Sequence, residues 1–409
     1  MNMILHGIPD ADLRNGDTLA EPLHIEGGEL MRFDRVVTNP PFSQNYSADG
    51  IPFPERFPYG FCPESGKKAD LMFVQHMASV LRQGGMVCTV MPHGVLFRGG
   101  AERDIRRGFI EDDMLDAVIG LVPNLFYGTG IPVCILAVRA KGAKPPERQG
   151  KVLFINADAD FRAGRVQNFL EHEHIEKIVS AYHRYEEIDG FADVVPQSVL
   201  AENDYNLNIR RYADNAPPPE PHDVRAHLMG GVPKAEVAVH AEPFAAHGFD
   251  PTGLLVEKNE QYFDFSPDLD GTADIKDRIE SDAGLTARET ALARAFDDWW
   301  TVHDDHIVAL PDTKALMAFR TELMDSFDAA PFDAALVPVG LLGRFQVAGI
   351  IATCWGDVVF ELKALDDCRL HRRGGRLGHH HSGSLRKRCC QERATRPQTC
   401  EEAAATIAG

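Results

Sequence analysis

Four consecutive residues, Asn39-Pro40-Pro41-Phe42, have the side chains needed to act on an exocyclic amino group. The Asn39 side-chain oxygen and the Pro40 carbonyl can each accept one hydrogen from an NH2 group, which draws the nitrogen toward tetrahedral geometry and frees its lone pair. The two prolines remove competing N–H donors and fix the backbone so that both oxygens converge. Phe42 offers a ring face on which a base taken out of a duplex can stack. The corresponding chemistry is attack of an amino nitrogen on a methylsulfonium, which requires no general base.

The tetrapeptide directly follows an apolar stretch. Residues 31–38 are predicted to form a buried strand that contains Phe33, Val36 and Val37. Ligands of doubly wound sheets lie at the carboxyl ends of the strands, which is where Asn39 would stand. For the tetrapeptide alone, a plain turn and an amino-group site are about equally good explanations. Its position after an apolar strand favours the site.

The segments around the tetrapeptide alternate between strand-like and helix-like patterns. A loop at 43–68 is too rich in Pro and Gly to be regular, whereas the helical period covers 69–82 and 101–112. The strand-like segments are 86–91, 114–121, 132–139 and 151–155. This order predicts an α/β fold with a largely parallel sheet. Because no helix separates the last two strands, we expect them to form an antiparallel hairpin at the edge of the sheet.

The composition is that of an ordinary globular protein, with 44% hydrophobic and 25% charged residues. No apolar run approaches the roughly 20 residues that a membrane span needs. The eight cysteines form no CxxC pair, which argues against a metal site and indicates a reducing, cytoplasmic location.

The charge is distributed unevenly along the chain. The formal net charge is −19, yet the segment from Arg369 to the end carries nine Lys or Arg and three Asp or Glu. Residues 1–368 therefore carry a net charge of −25. Neutralisation of phosphates supplies most of the non-specific affinity for nucleic acid, so a body this acidic is expected to need a local basic strip or a partner to bind DNA.

A proline-rich run at 216–221 divides the chain, because such a run prefers an extended backbone. Beyond it, residues 285–330 are predicted to be helical, with Trp299 and Trp300 packed in the helical core. From 367 onward the sequence has no periodicity.

The tetrapeptide belongs to an ordered set of motifs that resembles the modification subunits of type I restriction–modification systems. The resemblance runs nearly continuously from Asn2 to about Lys363. The motifs that carry it are Asn2-Met3-Ile4-Leu5-His6-Gly7-Ile8, Gly16-Asp17-Thr18-Leu19, Phe33-Asp34, Asn39 to Ser43, Ala69-Asp70-Leu71, Pro92-His93-Gly94-Val95-Leu96-Phe97-Arg98, Asn124-Leu125-Phe126-Tyr127-Gly128-Thr129-Gly130-Ile131-Pro132, Tyr205-Asn206-Leu207-Asn208-Ile209, and Gly340-Leu341-Leu342 with Arg344-Phe345-Gln346-Val347-Ala348-Gly349.

The resemblance implies an α/β fold in which an incomplete Rossmann-like, S-adenosylmethionine-dependent methyltransferase sheet is followed by a helical C-terminal region. It implies S-adenosylmethionine as methyl donor and adenine N6 in duplex DNA as acceptor. The implied partners are DNA, a specificity subunit that reads the sequence, a second modification subunit, and a restriction subunit in the full complex. Residues 222–366 would dock on the specificity subunit.

The resemblance also assigns cofactor-binding residues, namely Asp17, Thr18 and Asn39. Asp17 is placed where an acidic side chain accepts a hydrogen bond from the amino group of the cofactor's adenine. The alternative for Asp17 is a turn-forming role after Gly16, which we consider somewhat less favoured.

Aromatic and basic residues complete the set of candidates. Phe42, Phe126 and Tyr127 are expected near the flipped base, although core packing is an equally good explanation for one of the last two. Four arginines around a helix start are candidates for phosphate contacts, with a solvated surface face as the commoner explanation: Arg98, Arg103, Arg106 and Arg107.

The sequence departs from the family at both ends. The family's Gly-rich cofactor loop and its acidic residue for the ribose hydroxyls are expected upstream of Asn2, so 1–215 is interpreted as a partial catalytic domain that lacks its first strands and binds the cofactor poorly. The tail at 367–409 is interpreted as an out-of-frame, non-native translation, with a basic nucleic-acid-binding arm as the rival. Two other functions are possible on the sequence: an inactive fragment that acts only in assembly, and, less favoured, a protein-glutamine or RNA-guanine N-methyltransferase.

Overall fold

The computed structural model describes residues 10–66, 68–215, 223–309 and 318–323, together with residues 3, 8, 345, 348–350, 352–353 and 355–356. The chain divides into two compact units, Met1–Ala216 and Pro217–Gly409. The predicted linker at 216–221 and the predicted tail at 367–409 lie outside the described residues.

The first unit is built on a six-stranded sheet. A short hairpin of β1 (Ile25–Glu26) and β2 (Glu29–Leu30) precedes this sheet along the chain. The six strands of the sheet are β3 (Phe33–Thr38), β4 (Leu81–Pro92), β5 (Leu115–Leu121), β6 (Val133–Arg139), β7 (Lys151–Ala157) and β8 (Ala192–Pro196). They are ordered β3-β4-β6-β5-β7-β8 across the sheet. β3 pairs with β4 and β5 pairs with β7 in parallel, whereas the other three neighbours are antiparallel. The α/β prediction is confirmed, but the sheet is mixed rather than largely parallel.

The predicted hairpin between the last two strand segments is wrong. β6 lies inside the sheet, between β4 and β5, and β7 pairs with the far side of β5. The residues of β6 are buried at five of seven positions, as expected for a strand covered on both faces. The continuous apolar run from Val133 to Val138 was the signal for an interior strand.

β3 is an edge strand and not a buried one. It pairs only with β4 in the described part of the chain, and the Val37 side chain is 81% exposed, which contradicts its predicted burial. β4 begins earlier than expected, at Leu81, because an irregularity in its pairing with β3 accommodates Gly84 and Gly85. Gly84 there adopts a φ of 82°, which favours glycine.

Helices cover both faces of the sheet. They are α1 (Asp70–Ser79), α2 (Gly94–Phe97), α3 (Ala101–Glu111), α4 (His172–Arg184) and α5 (Gln197–Glu202). α1, α3 and α5 bury residues such as Met72, Ile105 and Leu200 against one face, and α4 buries Ile178 and Ala181 in a separate cluster on the other. The predicted helices at 69–82 and 101–112 are therefore confirmed as α1 and α3.

The second unit combines a small sheet with helices. Antiparallel strands β9 (Val232–Pro233), β10 (Leu255–Glu257) and β11 (Tyr262–Phe265) are ordered β10-β11-β9. The helices are α6 (Val224–Met229), α7 (Lys234–Val239), α8 (Ala241–His247), α9 (Thr272–Glu280) and α10 (Ala283–Ala309). The region expected to be helical thus also contains strands. Among the described helices of the chain, none is both long and apolar enough to cross a membrane.

Candidate active site

Four strands of the main sheet end at the same edge. β3, β4, β5 and β7 run in one direction, since β6 is antiparallel to both β4 and β5. The segments that follow them, which begin at Asn39, His93, Val122 and Asp158, therefore share this carboxyl edge. The sheet brings the tetrapeptide and the 122–132 loop to one side of the molecule, as the position of Asn39 after a strand predicted.

Asn39 presents an uncommitted amide at this edge. Its side chain is exposed and makes no hydrogen bond to any other described residue. The preceding residue, Thr38, is anchored by a 2.8 Å hydrogen bond from its Oγ1 to Oγ1 of Thr89 on β4. Phe42 is half-buried against the apolar cluster on the α4 face of the sheet. The segment is thus fixed at both ends, while the amide between them remains available to a ligand.

Asp17 lies in a tight turn rather than in a regular element. Its Oδ1 atom accepts from the backbone N–H groups of Leu19 at 2.9 Å and Ala20 at 3.0 Å. The Asp17 carboxylate therefore stabilises the turn, which is the role that the sequence indicated as the alternative to cofactor binding. Its Oδ2 atom has no partner among the described residues and, in an exposed side chain, can still accept from an amino group.

The turn that carries Asp17 is held by a buried arginine that the sequence did not single out. Arg56 is 1% exposed and donates to the carbonyls of Thr18 at 3.0 Å and Leu19 at 2.7 Å. Its Nη1 also lies 3.0 Å from Nδ1 of His76 on α1. Burial, together with the neighbouring Arg56 cation, lowers the pKa of His76 to about 4. His76 is therefore neutral at pH 7 and accepts from Arg56.

The two aromatic residues of the 122–132 loop have different environments. Phe126 is partly buried and packs against the same apolar cluster as Phe42. Tyr127 is 90% exposed. These contacts favour core packing for Phe126 and leave Tyr127 as the candidate for stacking on a base.

The four candidate arginines do not form one surface. Arg106 is 4% exposed and donates to three backbone carbonyls, so its prediction as a phosphate contact is wrong. Arg98 forms ion pairs with two buried carboxylates, those of Asp70 and Glu102. Arg103 is half-buried and Arg107 is exposed; both pair with carboxylates, and their phosphate contacts remain a prediction.

Another arginine at the carboxyl edge was missed. Arg165 is exposed and has no partner among the described residues. Its loop is tied to the 122–132 loop, because Asn168 N donates to Asn124 O at 2.9 Å and Asn124 Nδ2 donates to Val166 O at 3.1 Å. No regular pattern surrounds Arg165, so only the strand order could reveal its position.

Comparison with known proteins identifies a family and several relatives. A family model for N-6 DNA methylases matches residues 1–220. The MjaVIII type I restriction enzyme methylase subunit of Methanocaldococcus jannaschii is 37% identical over 228 residues, which are 52% of this chain and 38% of that protein. The corresponding MpnII subunit of Mycoplasma pneumoniae is 32% identical over 234 residues, 55% of this chain and 42% of that protein.

A solved structure matches part of the chain. The type I restriction–modification methyltransferase subunit of Streptococcus thermophilus is 42% identical, with 52% of this chain and 44% of that chain covered and a TM-score of 0.48. The chain thus spans less than half the length of these relatives. The family model, however, covers more than half of the chain, and the chain belongs to the N-6 DNA methylase family.

Proposed function

We propose that this chain transfers a methyl group from S-adenosylmethionine to N6 of adenine in duplex DNA, as the modification subunit of a type I restriction–modification complex. The observation that carries the proposal is the Asn39 amide, which has no partner among the described residues, lies at the carboxyl end of β3 and is followed by two prolines. The family and the relatives named above support the choice of DNA adenine over other amino-group substrates.

Asn39 and Pro40 would hold the amino group of the target adenine. Each contributes one carbonyl-type oxygen, and two N–H···O bonds localise the nitrogen lone pair along the direction of attack. The backbone places the Pro40 carbonyl before the base arrives, whereas the exposed Asn39 side chain turns to meet the amino group. Tyr127 offers an exposed ring at the same edge for the extruded base.

The turn at Asp17 fits the methyl donor in part, although its contacts among the described residues run through Arg56 to His76 and not to the Asn39 edge. Oδ2 of Asp17, which has no partner in the described part of the chain, can accept from the adenine amino group of S-adenosylmethionine, and Thr18 lies in the same turn. When bound, the cofactor supplies an electrophilic methyl group. The contribution of Asp17 is to orient the adenine end, and that of the buried Arg56 is to keep the turn in place.

DNA binding would depend on a partner. The net charge of −25 over residues 1–368 repels a polyanion. A specificity subunit that supplies base contacts and positive charge, with a second modification subunit and a restriction subunit in the full complex, satisfies this requirement.

The test is methylation by the full chain together with its specificity subunit, read as N6-methyladenine in DNA. Asn39→Ala should lower the rate by at least about 10²–10³-fold, the usual effect of removing one preorganised hydrogen-bond partner of a transition state. Gln83→Ala removes an exposed amide at the opposite edge of the sheet and should leave the rate unchanged.

An Asn39→Ala complex that methylates at the wild-type rate would refute the mechanism. A wild-type complex that assembles on DNA but forms no N6-methyladenine would instead support the assembly-module function. Methylation of a glutamine-containing peptide or of RNA guanine in place of DNA would instead identify the chain as a protein-glutamine or RNA-guanine N-methyltransferase.

A further inference from the structure

The backbone just after the tetrapeptide is held by a buried carboxylate. Ser43 adopts a φ of 55°, in the left-handed region, and its N–H donates to Oδ1 of Asp70 at 2.9 Å. Asp70 is the first residue of α1, and its side chain is 1% exposed. A hydrogen bond from an amide to a buried carboxylate is charge-assisted and therefore stronger than an ordinary one. This contact offsets the strained backbone conformation at Ser43.

Asp70 is itself held by Arg98, which follows α2. Nη1 of Arg98 lies 3.3 Å from Oδ2 of Asp70 and 3.3 Å from Oε1 of Glu102, whose side chain is also 1% exposed. Gly94 provides the space for this arrangement, because a Cβ at that position would lie 2.5 Å from Cζ of Arg98. The guanidinium is thus confined between two carboxylates and the Gly94 backbone.

Besides this contact, the tetrapeptide is held by the Thr38–Thr89 hydrogen bond before it and by the packing of Phe42. Pro40 and Pro41 have no N–H group, and the Asn39 side chain is free among the described residues. We propose that Asp70 is a positioning residue: with Arg98 behind it, it holds the Ser43 N–H and thereby sets where Asn39 and Phe42 lie. Asp70 does not reach the substrate and acts only through the segment it holds.

Amide hydrogen exchange in the full 409-residue chain tests the positioning directly. Because the two prolines contribute no amide, a peptide spanning 39–44 reports mainly on Phe42, Ser43 and Gln44. Asp70→Ala should accelerate exchange at Ser43 by about 10–10²-fold, the range for a lost hydrogen bond to a charged group. Asp70→Asn keeps an acceptor of the same shape but loses the charge, so it should accelerate exchange by only about 3–10-fold.

Asp34→Ala is the matched control. Asp34 pairs with Arg82 at 2.8 Å, as Asp70 pairs with Arg98, but its side chain is 66% exposed and does not contact the tetrapeptide. The control should leave exchange in the 39–44 peptide unchanged. The idea is overturned by wild-type exchange in both Asp70 variants, or by equal acceleration in Asp34→Ala. If Asp70→Ala does not fold, Asp70→Asn alone decides.

The catalytic consequence rests on the proposed function and has its own readout. In the complex with the specificity subunit, Asp70→Ala should lower kcat by about 10-fold or more, with little change in the KM for the methyl donor, and Asp70→Asn should restore part of the loss. Equal kcat in wild type and Asp70→Ala would overturn the catalytic role. If the wild-type complex itself forms no N6-methyladenine, the proposed function fails, while the exchange result still decides the positioning.

Discussion

Replacement of Arg56 by methionine should destabilise the first unit and loosen the turn that carries Asp17. The guanidinium is 1% exposed and donates to the carbonyls of Thr18, Leu19, Pro52 and Phe53 over distances of 2.7–3.2 Å, besides its contact with His76. No described carboxylate forms an ion pair with it. Arg56 is thus a buried cation held almost entirely by backbone oxygens.

The expected loss follows from these contacts. Each buried carbonyl left without a donor costs about 1–3 kcal/mol, but removal of the cation also recovers its desolvation cost, which is visible as a lowered pKa of Arg56. We expect a net loss of about 3 kcal/mol, near the lower end for breaking a buried charged network. In a unit of this size each kcal/mol lowers Tm by roughly 2–4 °C, so the variant should melt about 6–12 °C below wild type.

Thermal unfolding followed by circular dichroism measures this shift. Arg82→Met is the matched control, because Arg82 is exposed, pairs with Asp34, and should contribute at most about 1 kcal/mol. If Arg56→Met melts within about 2 °C of wild type, the carbonyls are satisfied in some other way and the reasoning is wrong. A loss equal to that of Arg82→Met would refute it equally.

Two further predictions concern pH and DNA. The pKa of His76 is lowered to about 4 by burial and by Arg56, so the unfolded chain binds more protons between about pH 4 and 6.5. Stability should therefore be complete above about pH 6.5 and fall toward pH 4, and the urea midpoint of His76→Gln should decline less than that of wild type over this interval. Arg165→Ala, assayed in the complex, should weaken DNA binding and reduce the slope of log K against log salt by about one, whereas Arg82→Ala should not; equal slopes for the two variants would exclude a phosphate contact at Arg165.

The sequence was sufficient for the elements whose patterns are local. The helices at Asp70–Ser79 and Ala101–Glu111 and the strand before Asn39 were predicted from hydrophobic periodicity and flanking glycines. The strand order was not predictable in this way, because β6 pairs with β4 across some 40 intervening residues, and no local pattern records such a pairing.

The burial of charged side chains was also not predictable from the sequence. Asp70, Arg56 and Arg106 belong to residue types that are almost always exposed, so a sequence-based expectation places them on the surface. Each is buried because distant backbone groups or side chains satisfy it: Ser43 and Arg98 for Asp70, the Thr18 and Leu19 carbonyls for Arg56. Those partners become neighbours only after the chain has folded.

The antiparallel pairing of β5 with β6 determines how the loop between them can change in length among related sequences. The 122–132 loop, which carries Tyr127, joins two adjacent hydrogen-bonded strands and not two distant ones. Doubling the length of such a loop costs only about 0.6 kcal/mol in closure entropy. Insertions near Tyr127 can therefore reshape the carboxyl edge of the sheet, while the strands that place Asn39 keep their register.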